Sequence, residues 1–224
     1  MVVKRTTSNK CVVLLSGGPD SATVGYWAKK KGYDISAMAC IYGQIAVKEV
    51  ESAARIASEL GATIKVIDLS SLREIFVGVT SLVDDNVPMT SSFTQPIIVP
   101  FRNAIFLSAA VAYSAALDTR RIYCGAQGSD APYYPDCRKE FYDAFQTAAR
   151  LGTDREIFVE APFSQMSKSD VVKLGTELGV PYDLTWSCYF NRAKHCGACE
   201  SCNNRKKAFK EAGITDPTQY ETAK

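Results

Sequence analysis

Two stretches of the sequence bring together residue types that can do chemistry. The first is Ser-Gly-Gly-Pro-Asp-Ser at 16–21, directly after the apolar run Cys-Val-Val-Leu-Leu. Glycines let backbone N–H groups converge on an anion, and a helix that begins here adds the positive end of its dipole. The hydroxyls of Ser16 and Ser21 can donate to phosphate oxygens, and Asp20 suits a bound magnesium ion or a helix N-cap. A plain strand-to-helix turn is the alternative, because Gly-Gly-Pro-Asp is itself turn-forming.

The second stretch is a cluster of four cysteines near the end of the chain: Cys188, Cys196, Cys199 and Cys202. Four thiolates close a tetrahedral structural zinc site, so the spacing Cys-x7-Cys-x2-Cys-x2-Cys predicts one structural Zn²⁺. A [4Fe–4S] cluster and a redox pair are the alternatives. The only histidine, His195, adjoins Cys196. It could replace a thiolate, but we expect it to be exposed or to lie outside the ligand shell, and one histidine gives little support to a Ser-His-Asp or Cys-His-Asn system.

Short apolar runs alternate with helical patterns along the chain. Strands are predicted at 11–15, 34–42, 63–69, 121–126 and 156–162, and helices at 21–31, 46–60, 103–117, 136–151 and after a capping box of Ser167 and Asp170. This order predicts an α/β fold with a doubly wound, parallel, five-stranded sheet. Ligands bind beyond the carboxyl ends of such strands, which is where the loop at 16–21 falls.

Other segments are less regular or more apolar. The region 70–100 predicts a long excursion that serves as a lid or a dimer contact. The helix at 103–117 is nearly all apolar, so we expect it to be buried. We divide the chain into a nucleotide-binding domain at 1–185 and a four-cysteine, zinc-binding and helical segment at 186–224.

Composition excludes several classes of protein. The 224 residues are 46% hydrophobic and 22% charged, with a formal net charge of +2. This balance is typical of a soluble globular protein and gives no electrostatic case for nucleic acid, since the basic run at 205–207 is short. No apolar run is long enough to cross a bilayer, and the first ten residues lack the apolar core of a signal peptide. We therefore expect a cytoplasmic protein.

The loop at 16–21 is neither a Walker A loop nor a dinucleotide fingerprint. It resembles the Ser-Gly-Gly-x-Asp-Ser loop of the N-type ATP pyrophosphatases, which adenylate a carbonyl oxygen and release pyrophosphate. Combined with the cysteine spacing, it is similar to the QueC-like family of 7-cyano-7-deazaguanine synthases. The segments VPFRNAIFLSAA, YYPDCRKEF and SKSD agree with that family, so the match runs from about Cys11 to Arg205.

The resemblance implies a Rossmann-like fold of the adenine nucleotide alpha hydrolase type and a two-step ATP-dependent carbon–nitrogen ligase. One ATP adenylates the carboxylate of 7-carboxy-7-deazaguanine, and ammonia makes the amide. A second ATP activates the amide oxygen, and loss of AMP gives the nitrile. The resemblance also implies magnesium with ATP, and a homodimer.

Site residues follow from the same resemblance. ATP and its pyrophosphate would be held by Leu15, Ser16, Gly17, Gly18, Pro19, Asp20, Ser21, Ala22, Thr23, Tyr42 and Arg102. The deazapurine would be bound by Gln44, Asn103, Gln127, Asp130, Tyr134 and Asp136. Catalysis would depend on Asp20, Arg102 and Lys168, the two cations neutralising charge on the phosphates. The alternatives are a surface cap or pair for Arg102, a solvated helix position for Lys168, and a cap on the following helix for Asp136.

Several positions depart from the family pattern. Ile45 and Ala46 stand where the family has Arg-His, Gln127 and Gly128 where it has Asn-Glu, and Phe101 and Tyr133 where it has glycines. These changes remove charge and add bulk while leaving the ATP loop intact. They leave open a product other than the nitrile: an amide, or, as in similar relatives from defence systems, a deazaguanine joined to a protein amine.

Two further classes are alternatives. A sulfur-transfer relative acting on tRNA would need a reactive, metal-free cysteine pair and a basic face. A non-enzymatic binding module with a zinc knuckle would show a damaged ATP loop. The sequence has four clustered cysteines, little excess positive charge and an intact loop, which favours the ligase.

Overall fold

The computed structural model describes residues 9–91 and 97–221. The first eight residues and 92–96 of the expected excursion lie outside these ranges. Five parallel strands form one sheet in the order β3-β2-β1-β4-β5. Their bounds are β1 Lys10–Leu14, β2 Asp34–Ile41, β3 Thr63–Asp68, β4 Arg121–Tyr123 and β5 Phe158–Glu160. The predicted parallel, five-stranded sheet is confirmed.

Strand β1 lies in the middle of the sheet and marks the point where the strand order reverses. Val12 pairs with Ser36 of β2 on one side and with Ile122 of β4 on the other. The chain runs outward from β1 through β2 and β3, and then returns to add β4 and β5 on the opposite edge. In open α/β sheets, the crevice at this reversal is the usual ligand site.

Helices cover both faces of the sheet, as a doubly wound fold requires. They are α1 Pro19–Lys30, α2 Lys48–Leu60, the short α3 Arg73–Phe76, α4 Arg102–Ala116, α5 Lys139–Thr153, α6 Lys168–Glu177 and α7 Glu200–Ala212. Turns of 3₁₀ helix lie at Ser70–Leu72, Pro135–Cys137 and Tyr182–Leu184. No helix among the described residues is long and apolar enough to span a membrane.

The core forms two layers, one on each side of the sheet. Helices α1, α2, α6 and α7 pack on one face, where Leu15, Ile56, Val172 and Phe209 belong to one buried cluster. Helices α4 and α5 pack on the other face, with Leu107 against the strand residues of that side. Because α7 contributes to the same core as α1 and α2, the segment after 185 packs directly on the preceding part of the chain. The division at 185/186 stays a prediction.

The expected elements are present, with local corrections at their ends. The helix expected from 136 begins at Lys139, because Pro135–Cys137 is a 3₁₀ turn and Arg138 is extended. Helix α4 is not wholly buried: Ser108 and Ala112 are exposed on its outer side. The capping box at the start of α6 is confirmed, with the Asp170 N–H donating to Ser167 Oγ at 3.2 Å.

Candidate active site

The loop at 16–21, which we call the phosphate loop, joins β1 to α1 with its backbone amides at the helix N-terminus. Gly17 has a φ of +88°, and a Cβ there would lie 2.1 Å from the carbonyl oxygen of Glu49. Only glycine fits this position, because a side chain would meet both strain and a backbone clash. Pro19 starts α1, and Gly18 at the N-cap offers no side chain to its free N–H groups. The helix end is therefore available to an anion.

The two serines of the phosphate loop hold its shape from within. Ser16 Oγ lies 3.0 Å from Ser21 Oγ, and Ser21 Oγ donates to the Gly18 carbonyl at 3.1 Å. Ser21 Oγ also accepts from the Ser16 N–H at 3.2 Å. The loop is thus braced before any ligand arrives, which lowers the entropic cost of binding.

A cavity of about 290 Å³, the main cavity, opens beside the phosphate loop at the carboxyl ends of β1, β2 and β4. It is lined by many of the predicted site residues: Leu15, Ser16, Gly18, Asp20, Ser21, Tyr42, Gln44, Arg102, Asn103, Asp130, Tyr134 and Asp136. The chain leaving β4 runs close to the loop, since a Cβ on Gly125 would lie 2.8 Å from the Ser21 nitrogen. The fold therefore places a phosphate-binding loop and a ligand-sized space at the topological switch point.

Other predicted residues lie away from the main cavity. Ala22 and Thr23 are fully buried in α1, where Thr23 Oγ1 donates to the Pro19 carbonyl at 2.8 Å. Gly17 and Pro19 shape the loop without lining the cavity. The remaining two, Gln127 and Lys168, line a second cavity of about 220 Å³, and Asp130 borders both cavities.

Lys168 and Asp20 form a partly buried ion pair beside the phosphate loop. Lys168 Nζ lies 2.7 Å from Asp20 Oδ2, and their side chains are 24% and 18% exposed. Burial lowers the pKa of Lys168, but Asp20 and Asp130 oppose this effect and raise it overall, so the lysine stays charged. Lys168 is therefore not a solvated helix residue.

The other carboxylate oxygen of Asp20 bears on magnesium binding. Oδ1 is buried, and no donor among the described residues reaches it. A buried carboxylate oxygen without a partner is costly unless a ligand takes it up. Because Mg²⁺ prefers such oxygens, the residues present fit a magnesium ion at this position.

Arg102 projects from the first turn of α4 into the main cavity. It donates to Tyr42 Oη at 3.1 Å and lies over the Tyr42 ring at 5.6 Å from its centre. Burial lowers the pKa of Arg102, but Tyr42, Tyr134 and Glu49 outweigh it and raise the pKa. Its guanidinium is a fixed cation inside the cavity and not a surface cap.

Asn103 and Asp136 join α4 to the turn after residue 134. Asp136 Oδ2 accepts from the Asn103 N–H at 2.9 Å, and Asn103 Nδ2 donates to the Asp136 carbonyl at 3.2 Å. The aspartate therefore caps α4, not the helix that follows Pro135. The preceding residue, Phe101, has a φ of +58° and is largely exposed. This left-handed conformation is strained for phenylalanine and explains why glycine suits the position.

Gln44 and Gln127 use their amides within their own loops. Gln44 Oε1 accepts from the Tyr42 N–H at 2.8 Å, which fixes the chain after β2. Gln127 Nε2 donates to Asp130 Oδ1 at 2.8 Å. Burial raises the pKa of Asp130 to about 6, with Asp20 adding to the rise and Lys168 opposing it. These amides shape the walls of the two cavities.

The sequence reasoning missed Glu49, which lines the main cavity from the first turn of α2. Burial raises the pKa of its carboxyl to about 7, with Arg102 opposing the rise. The sequence could have predicted that Glu49 lies near the site, because the first turn of a helix that follows a parallel strand lies at the carboxyl edge of the sheet. Aromatic residues were missed as well, and the cavity wall includes Phe106, Tyr142 and Tyr189.

The four clustered cysteines converge in space. The Sγ atoms of Cys188, Cys196, Cys199 and Cys202 all lie within 4.8 Å of one another. The sulfurs of Cys196 and Cys202 are 3.9 Å apart, and a tetrahedral Zn–S distance of about 2.3 Å gives edges of about 3.8 Å. The arrangement is therefore that of a metal site.

Backbone amides around this cysteine cluster point at its sulfurs. The Cys196 N–H donates to Cys188 Sγ at 3.3 Å, and the Cys199 N–H donates to Cys196 Sγ at 3.2 Å. Gly197, with a φ of +72°, permits the turn between them. Such bonds favour the thiolate form that binds metal, so the donor set fits a metal ion.

His195 does not belong to the sulfur cluster. It is buried, so of the two expected alternatives, an exposed side chain or one outside the ligand shell, the second holds, and its Nε2 accepts from the Ser187 N–H at 3.0 Å. Its ring packs 4.2 Å from the ring of Trp186, centre to centre. The histidine therefore braces the segment that carries Cys188.

The segment between the two candidate sites is tied to both. The Trp186 N–H donates to the Gly17 carbonyl at 2.9 Å, which joins it to the phosphate loop. Arg205 of α7 is fully buried and donates to Thr185 Oγ1 at 2.6 Å and to the Tyr182 carbonyl at 2.9 Å. It also pairs with Asp216 at 3.1 Å.

Comparisons with known proteins agree with this geometry. The family model described as "Queuosine biosynthesis protein QueC" matches residues 10–213. A 7-cyano-7-deazaguanine synthase from Caldicellulosiruptor bescii is 41% identical over 215 residues, covering 95% of this chain and 97% of the relative. Another from Methanoculleus marisnigri is 44% identical over 220 residues, covering 95% and 99%.

A solved structure supports the fold independently. The NH3-dependent NAD synthetase from Campylobacter jejuni superposes with a TM-score of 0.52 at 21% identity, covering 81% of this chain and 69% of the other. This likeness bears on the fold alone, and the predicted α/β fold is confirmed. From the family model and the two relatives, the chain belongs to the QueC family of queuosine biosynthesis proteins.

Proposed function

We propose that this protein is an ATP-dependent carbon–nitrogen ligase that converts 7-carboxy-7-deazaguanine and ammonia into 7-cyano-7-deazaguanine, in queuosine-type biosynthesis. One observation carries the proposal: the phosphate loop, the N-terminus of α1 and Arg102 converge on one cavity at the switch point. This convergence occurs in a chain whose relatives carry that activity in their names.

The first requirement of the reaction is to activate a carboxylate, which is a poor electrophile. Transfer of AMP from ATP makes its oxygen a good leaving group and releases pyrophosphate. The backbone amides at 16–18 and the N-terminus of α1 would hold the departing pyrophosphate. Arg102, a cation that projects from α4 into the main cavity, would stabilise the charge that develops on the phosphates.

Lys168 and Asp20 would act together beside the phosphate loop. Asp20 holds the lysine ammonium through Oδ2 and leaves Oδ1 without a partner among the described residues. That oxygen would ligate the magnesium that accompanies ATP, and the ion, when bound, supplies further neutralisation of phosphate charge. Lys168 would then be positioned to neutralise the negative charge of the departing pyrophosphate.

The deazapurine would lie near the start of α4. Asn103, Tyr134 and Asp136 line the cavity there, and a carboxylate suits the ring N–H and amino donors of a guanine-like base. Tyr42 and Phe106, whose ring centres lie 5.4 Å apart, offer aromatic surface for stacking. Gln44, Gln127 and Asp130 would set the shape of the pocket through their internal hydrogen bonds.

One structural zinc ion would occupy the cysteine cluster. Four sulfurs leave no open position for a substrate, which supports a structural role over a catalytic one. Its binding energy would hold the segment at 188–202 in place, and that segment continues from the Trp186 contact with Gly17. The homodimer and the cytoplasmic location stay predictions, the first testable by sedimentation velocity.

The test is a mass-spectrometric assay with purified protein, ATP, Mg²⁺, 7-carboxy-7-deazaguanine and ¹⁵N-ammonium. We expect a nitrile that carries ¹⁵N, with two AMP formed per nitrile. Accumulation of the amide, or a deazaguanine adduct on a protein amine, would refute the nitrile and favour the alternative acceptor. Absence of AMP with this substrate would refute the ligase itself.

A further inference from the structure

Glu49 differs from the other acidic side chains of the main cavity. Asp20 is paired with Lys168, Asp130 accepts from Gln127, and Asp136 caps α4 through Asn103. Among the described residues, no hydrogen bond or ion pair engages the Glu49 carboxylate, although it lines the same cavity. Both oxygens of its carboxylate are therefore available to a reacting group.

The position of Glu49 is fixed by the phosphate loop. Its backbone carbonyl packs against Gly17 so closely that a Cβ there would lie 2.1 Å away. The first turn of α2 therefore packs directly against the phosphate loop, and Glu49 lines the main cavity from there. The charged or titratable groups that interact with it are Arg102 of α4 and Tyr42 at the end of β2.

The proposed reaction needs a base twice, and the groups discussed so far supply cations and binding contacts. Ammonia that attacks an acyl adenylate becomes a positively charged nitrogen, which must lose a proton for the amide to form. The activated amide must lose both of its N–H protons, the second as AMP leaves, for the nitrile to form. A base is most effective when its pKa lies near the working pH. The raised pKa of Glu49, about 7, meets this condition.

We propose that Glu49 is the general base that removes a proton from nitrogen in both halves of the reaction. This inference rests on the proposed function. In the first half, the nitrogen lone pair forms the C–N bond, the C–O bond breaks with its electrons leaving on AMP, and Glu49 takes one N–H proton. In the second half, the O-adenylylated amide nitrogen carries two protons. One passes to solvent as the neutral imidate forms, and Glu49 takes the other. That N–H electron pair then forms the third C–N bond, and the C–O bond breaks with its electrons leaving on AMP. Each proton passes from Glu49 to solvent, which restores the carboxylate.

The test separates adenylation from the nitrogen chemistry. ATP–pyrophosphate exchange with 7-carboxy-7-deazaguanine, in the absence of ammonia, reports adenylation alone. Amide formation with ammonium, and nitrile formation from the added amide, report the two later halves. The variants are Glu49→Gln, Glu49→Asp and, as a matched control, Glu51→Gln, which lies exposed on the same helix.

We expect Glu49→Gln to retain exchange near the wild-type rate and to lose about 100-fold or more of both amide and nitrile formation. At a fixed concentration of free ammonia, the wild-type rate should rise as the pH passes through about 7. The rate of Glu49→Gln should change little over the same range. Glu49→Asp, which keeps a shorter base, should retain the pH-dependent rise at a reduced rate. This variant also preserves the test if Glu49→Gln does not fold.

Two results would overturn the role of Glu49 and leave the proposed function standing. One is amide formation by Glu49→Gln within tenfold of the wild type. The other is a parallel loss of exchange, which would place the residue in binding or adenylation. If the wild type itself makes neither amide nor nitrile, the proposed function fails, and the inference fails with it.

Discussion

The buried pair of Arg205 and Asp216 allows a stability prediction with a worked magnitude. The Arg205 side chain is 0% exposed and that of Asp216 is 12% exposed. Arg205 Nε lies 3.1 Å and 3.2 Å from the two carboxylate oxygens of Asp216. Asp216→Asn removes the compensating charge and leaves the guanidinium buried, which costs about 3–5 kcal/mol. For a chain of this length each kcal/mol lowers the Tm by about 2–4 °C, so we expect a fall of about 6–20 °C.

The same pair predicts how the effect depends on pH. Burial raises the pKa of Asp216, but Arg205 and hydrogen bonds from Tyr220 and Thr218 oppose it and lower the pKa below its ordinary value of 3.8. A depressed folded-state pKa stabilises the protein above the unfolded-state pKa, and the contribution is lost as the pH falls through the folded-state pKa. The difference between wild type and Asp216→Asn should therefore be full at pH 7 and shrink toward strongly acidic pH.

The assay is equilibrium denaturation of metal-loaded protein followed by circular dichroism, with metal content measured for every variant. Asp183→Asn is the matched control, because Asp183 is exposed and lies close to the same segment. A loss below 1 kcal/mol for Asp216→Asn at pH 7, with metal retained, would contradict the reasoning. It would mean that water or rearrangement compensates Arg205.

Three further predictions concern the site. Lys168→Met should lower kcat/KM for ATP by about 100-fold, since it removes a cation beside the phosphates, whereas Lys173→Met on the exposed side of α6 should have little effect; steady-state kinetics decide. Gly17→Ala should abolish ATP–pyrophosphate exchange because of its φ of +88° and the clash with Glu49, while Gly61→Ala, with no atom within 4 Å of the added Cβ, should cost only about 1 kcal/mol. Cys199→Ser should lose the bound metal and lower the Tm by several degrees, and Cys11→Ala should retain the metal, as measured by elemental analysis. If the two variants of any of these three pairs had equal effects, the role assigned to the first residue of that pair would be wrong.

Much of the fold followed from local patterns. The alternation of apolar runs with helical periodicity, broken by Gly32 and Gly61, is sufficient to predict parallel strands with crossover helices. Once the sheet is parallel, the loop after its first strand must lie at the carboxyl edge. The cysteine spacing predicted a metal site for a similar local reason, because Cys196, Cys199 and Cys202 are close in sequence before they are close in space.

Other features depend on contacts between distant residues and could not be read locally. Arg205 stands in a basic run, yet the acid that pairs with it and the carbonyl of Tyr182 draw it into the core. The strain at Phe101 is visible only as a backbone angle. Asp136 caps α4 through the N–H of Asn103, which lies 33 residues earlier in the chain. Helix α4 has an exposed side because it covers the edge of the core and does not pass through it.

The hydrogen bond from Trp186 to Gly17 has a consequence for how the two candidate sites communicate. The segment that leads into the cysteine cluster holds a carbonyl of the phosphate loop, so loss of metal would release one support of the nucleotide site. Thermodynamic linkage makes such coupling reciprocal: if metal binding tightens ATP affinity, ATP binding tightens metal affinity by the same factor. Withdrawal of the metal would then lower the protein's affinity for ATP, and bound ATP would protect the metal from chelators.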